Sequence, residues 1–107
     1  MQKLIEIERA NAVPTRLFLS FNSAHRSLHV LATDYDTAVN IAWAAGHIRH
    51  SDNGLEGDDR RMHKCLSIKS EFQTKNWQPL VKAAIEGRQG TVSLDGNDIY
   101  LGEAKLI

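Results

Sequence analysis

The chain has 107 residues, 42% hydrophobic and 24% charged, which is the balance of a globular domain and not of a disordered segment. Thirteen basic and thirteen acidic residues cancel and the sequence pI is near 7.0, so long-range attraction to nucleic acid or an anionic membrane is not expected. A single cysteine cannot form an internal disulfide, MQKLIEIERANAVP breaks its apolar run with charges, and no stretch reaches the length of a membrane span; a cytoplasmic protein folded as one domain over residues 1–107 is expected.

In chain order, residues 3–9 (KLIEIER) alternate like a short strand, and Pro14 separates them from the next segment. TRLFLSF and SLHVLAT, joined by NSAHR, read as a hairpin. Leu17, Leu19 and Phe21 are expected on one face with Leu28, Val30 and Ala32, leaving Phe18 and Leu31 on the other. Apolar residues on both faces require a second cover, from a helix, other strands or a partner subunit.

Thr33 and Asp36 have the spacing of a capping box, so a helix is expected from Tyr35 through YDTAVNIAWAAGHIRH. Its apolar face is Ala38, Val39, Ile41, Ala42, Ala45 and Ile48, with His47 opposite and Trp43 at the margin. SDNGLEGDDRR reads as a solvated loop. KCLSIKSEF alternates like a strand with Leu66 and Ile68 inward, although a helix over residues 58–72 competes. A second helix is expected after Asn76, with Pro79 in its first turn, Gly87 past its end, and Trp77, Leu80, Val81, Ala84 and Ile85 as its stripe. GTVSL, the turn DGN and DIYLG close the chain as a hairpin. The expected class is α+β: a mainly antiparallel sheet of about five to six strands packed with two helices as one pair of layers.

Four residues with metal-ligand chemistry, His47, His50, His63 and Cys65, gather in GHIRHSDNGLEGDDRRMHKC. Their order matches no paired zinc pattern, and His47 falls on the solvent side of its helix, so no metal or other cofactor is expected. The acids of SDNGLEGDD lack the spacing and terminal Glu of a calcium loop. Arg60, Arg61 and Lys64 form a basic segment that serves an alternative, nucleic-acid-binding reading, with Asp58 and Asp59 cancelling part of its field.

No nucleophile elbow, P-loop, HExxH or dinucleotide glycine pattern occurs, so an enzyme is not the expected class and no catalytic residue is assigned. A second alternative is a small enzyme in which His25, Arg26 and His29 work with Asp34 or Asp36 as an acid–base group. The preferred reading is a binding module for a protein partner, a second copy of itself or a small ligand, in the manner of accessory proteins of mobile elements. Its candidate contacts are His25, Arg26, His29, Phe18, Leu31 and Trp43.

Overall fold

A computed structural model describes residues 13–22, 24, 26–48, 50–51, 54–55 and 61–104, with the backbone alone for 50, 51, 54, 55 and 61. The strand expected at residues 3–9, and with it His25 and Arg60, lies outside the described residues. The order is β1 (Arg16–Phe21), β2 (Ser27–Ala32), α1 (Tyr35–Ala44), β3 (His50–Ser51), β4 (Gly54–Leu55), β5 (Arg61–Lys64), α2 (Ile68–Glu71), α3 (Gln78–Ile85), β6 (Gly90–Asp95) and β7 (Asp98–Glu103). Five strands make one antiparallel sheet in the order β5-β1-β2-β6-β7, and β3 pairs with β4 apart from it. The class is therefore α+β, as the pattern of elements predicts. No helix among the described residues is long and apolar enough to cross a membrane.

Register decides which side chains share a face. β1 and β2 pair Leu17 with Leu31, Phe18 with Val30, and Leu19 with His29. Directly paired residues share a face and neighbours along a strand alternate. Leu17 and Leu31 thus lie on one side of the sheet, Phe18 and Val30 on the other. Phe18 and Leu31, expected on one face, are on opposite faces. The observed register differs by one residue from the expected one, and a one-residue slip exchanges every face. Asn22 holds the hairpin in place: its N–H donates to the Arg26 carbonyl, and its side-chain oxygen accepts from the N–H groups of Ala24 and Arg26.

Both faces of the central strands are covered, so helices flank the sheet on two sides where one pair of layers was expected. On the first side α1 lays Ala38, Val39, Ile41 and Ala42 over Phe18, Val30 and Ala32, with Ile48 and Met62 completing the cluster. On the second, Ile68, Phe72, Leu80, Ala83 and Ala84 pack over Leu17, Leu31 and Val92. This internal cover accounts for the apolar residues on both faces of the hairpin. Each large buried side chain contributes about 1.5–3 kcal/mol by leaving water.

The helix ends follow local chemistry. α1 starts at Tyr35 as expected, but its cap is Asp34, whose carboxylate accepts the Thr37 N–H at 2.8 Å, and not Thr33. It stops at Ala44, well before His50. Gly46 at φ 76 turns the chain, with Gly46 N–H bonded to the Trp43 carbonyl and His47 N–H to that of Ala42. The same motif at Gly87, with Arg88 N–H on Ala83, ends α3, where Pro79 sits in the first turn as expected. Trp77, not Asn76, precedes that helix, and Ile85 of the expected stripe is exposed.

Between β5 and α3 the expected strand over KCLSIKSEF is cut short. β5 ends at Lys64, and Ser67 caps the short helix α2 by accepting the Ser70 N–H at 3.0 Å. Ile68 is buried as expected, but Leu66 is 100% exposed and Cys65 turns inward against the second cluster. A serine free to cap outcompetes continued alternation here.

Candidate metal centre

Three elements deliver one polar group beneath α2. His29 stands on β2 in the row that also carries Val92, on the face that α2 covers. Cys65 continues the line of β5 by one residue, its N–H donating to the Leu17 carbonyl at 2.9 Å. Glu71 closes the last turn of α2. One ligand atom from each of His29, Cys65 and Glu71 lies within 4.8 Å of the others. His29 and Cys65 are half-buried and Glu71 is open to water, so the group has a dry side and a wet one.

The packing around His29 sets its chemistry. Its ring lies 4.7 Å from the Phe72 ring at a tilt of 58°. Its Nε2 is shielded from solvent without a hydrogen-bond partner among the described residues, and Glu71 Oε2 lies 3.7 Å away, beyond hydrogen-bond reach. Burial lowers the His29 pKa below its ordinary value, while the Glu71 carboxylate pulls in the opposite sense. At neutral pH the ring is uncharged and offers a lone pair.

Cys65 is pushed up to about 12, chiefly by burial and then by its interaction with the Glu71 carboxylate. A Cys–His–Glu trio invites comparison with a nucleophilic triad, but the arrangement is wrong for one. The thiolate is the nucleophile, and a thiol at that pKa is ionised in on the order of one molecule in 10⁵ at pH 7. The carboxylate sits against both the thiol and the imidazole, where it favours the S–H form. In a triad the imidazole stands between the other two groups.

The remaining candidates disperse. Phe18 and Leu31 are core residues, and Trp43 is about half exposed on α1. Arg26 is exposed at the start of β2, whereas Asp34 and Asp36 follow its end; at about 3.3 Å per strand residue they stand roughly 20 Å away. The expected acid–base group of His25, Arg26 and His29 with those acids is therefore not assembled among the described residues.

Among the described residues the four metal-type candidates do not come together either. His47 leaves α1 on the first side of the sheet, its Nε2 3.2 Å from the Ser20 carbonyl and its own carbonyl accepting from Asn22. Cys65 lies on the opposite face. His63 is exposed on β5 with its ring edge-on to Phe21 at 6.1 Å. Of His50 only the backbone, in β3, is described. In the basic segment Arg61 pairs with Phe21 through the backbone, and Lys64 is exposed opposite Phe18.

No protein family, curated protein or solved structure matches the chain. The site therefore stands on its own geometry. Sequence reasoning names Cys65 and His29 for separate purposes and misses Glu71. The three are 36 and 6 residues apart, on a strand, a loop and a helix, so no periodic spacing links them.

Proposed function

We propose that this domain is a small metal-binding module that holds a divalent ion of the zinc class through His29 Nε2, Cys65 Sγ and a carboxylate oxygen of Glu71. The observation that carries the reading is the convergence of three different donor types within 4.8 Å. Bonds of about 2.0–2.3 Å at tetrahedral angles place ligand atoms roughly 3.4–3.8 Å apart. His29 and Glu71 are already 3.7 Å apart, so small side-chain adjustments close the shell.

Mixed sulfur, nitrogen and oxygen donors suit Zn²⁺ or Co²⁺, whereas Ca²⁺ and Mg²⁺ favour oxygen alone. An ion also gives the shielded His29 nitrogen the partner it lacks. It must displace the thiol proton, which a coordinating metal does outright, so affinity rises with pH. The sequence alone leads to the expectation of no metal; this reading departs from it because the three donors meet only through the fold. The ion ties β2, the segment after β5 and α2 together across the second cluster.

The test is a titration with Co²⁺ and Zn²⁺. The expected outcome is a thiolate-to-cobalt absorption band and a rise in the thermal midpoint, both reversed by chelator and both lost in Cys65→Ser and His29→Ala. At a hundredfold excess over Kd a bound ion stabilises by about 2.7 kcal/mol. A wild-type protein that shows neither band nor stabilisation overturns the reading.

A further inference from the structure

The group formed by His29, Cys65 and Glu71 leaves one tetrahedral position unfilled by those residues, and the register of the sheet identifies a side chain suited to fill it. Leu19 of β1 pairs with His29 on one side and with His63 on the other. The two histidines therefore flank Leu19 in one row on the same face, each about 5 Å from it at Cβ. Cys65 lies two residues beyond His63 along the same extended strand direction, its N–H still bonded to β1 at Leu17. Side chains two apart on such a strand project from one face, with Cβ atoms roughly 7 Å apart. An imidazole spans that gap from its own backbone.

We propose that His63 is the fourth ligand of this metal site, swinging from its edge-on contact with Phe21 to close a Cys–His–His–Glu shell. The inference rests on the metal-binding reading above. Several observations favour His63 over other residues. It is exposed, so no core packing holds it in place. Its ring contact, with Phe21 at 6.1 Å, is a weak one to give up against a coordinate bond. His47 is turned to the opposite side of the sheet, where its ring faces the Ser20 carbonyl. A shell closed by four protein side chains has the character of a structural centre, whereas three ligands and a water are the pattern of a catalytic one. The distinction bears directly on what the ion does here.

The experiment compares wild type, His63→Ala and His47→Ala, each titrated with Co²⁺ and then displaced with Zn²⁺, and follows the imidazole nitrogens of the zinc-loaded wild type by NMR. The expected result is an affinity loss of about tenfold or more in His63→Ala, with weakened d–d absorption as water replaces the imidazole, and no change in His47→Ala. The His63 ring nitrogen should shift on metal addition. A cobalt–thiolate band in wild type that persists at unchanged affinity and intensity in His63→Ala, with no shift of that nitrogen, overturns the assignment of His63 while leaving the three-ligand site intact. Absence of the band in wild type overturns the site itself.

Discussion

Ser20 shows how a single hydroxyl can work against the fold. Its side chain is wholly buried on the α1 side of the sheet, and its Oγ has no hydrogen-bond partner among the described residues. A buried polar group without a partner forfeits its hydration, at a cost of about 1–3 kcal/mol. Ser20→Ala removes the hydroxyl and leaves almost the same volume, so it should raise stability by about 1 kcal/mol in urea unfolding. A variant less stable than wild type would mean that the hydroxyl is satisfied in solution. Asp34 makes the opposite contribution. Its bond to the Thr37 N–H holds its pKa below the ordinary value of 3.8. A depressed carboxylate stabilises above its unfolded-state pKa, and that stabilisation is lost as pH falls through the lower folded value. Asp34→Ala is therefore expected to melt at a lower temperature than wild type at pH 7, with the gap closing in acid. Asp34→Asn should keep most of the neutral-pH stability and show little of this pH dependence, because Asn caps without ionising. A gap between wild type and Asp34→Ala that is constant from about pH 7 to about pH 2 counts against the cap.

The elements differ in how far their own letters specify them. The β6–β7 hairpin is fully legible. Val92 pairs with Leu101 and Leu94 with Ile99 as alternation predicts, and Gly96 at φ 61 opens the two-residue turn. Less visible is Gly90, whose absent side chain is required by packing: a Cβ there would overlap the Gly102 carbonyl oxygen of the adjacent strand. Gly96 has open space around it and only its positive φ to protect. Gly96→Ala should cost about 1–2 kcal/mol, the usual penalty for a left-handed non-glycine residue. Gly90→Ala should cost more, because backbone must move, and denaturant midpoints of the two variants give the order. The reverse order would refute the close approach of β6 to β7. At α1 the start is legible from its polar capping residues, but the end is not. Gly46 reads as part of a helix that runs on to His50, whereas its left-handed conformation terminates the helix. KCLSIKSEF misleads for a different reason. Its short apolar run satisfies both periods, and Ser67 settles the choice by capping α2 and leaving Leu66 wholly in water.

Across the whole molecule, local pattern is enough to give the α+β class, most of the elements and the double-sided character of β1 and β2. These depend on local periodicity, capping and turn residues, which act over a few positions. The faces of the first hairpin follow from packing: both sides of β1 and β2 are apolar, so hydrophobic pattern alone cannot choose between registers one residue apart, and the covers over Phe18 with Val30 and over Leu17 with Leu31 are long-range contacts. The site has the same origin. The cluster of letters in GHIRHSDNGLEGDDRRMHKC gathers four candidate ligands, yet α1 covers the first face of the sheet while Cys65, one residue past the end of β5, turns to the second, so His47 and Cys65 lie on opposite faces. Cys65 instead meets His29 and Glu71, because β2, the end of β5 and α2 converge on the second face. Proximity in sequence brought none of these three together. Their meeting is a product of strand order and of helix placement over the sheet, and both are set by long-range burial that no short window of sequence contains.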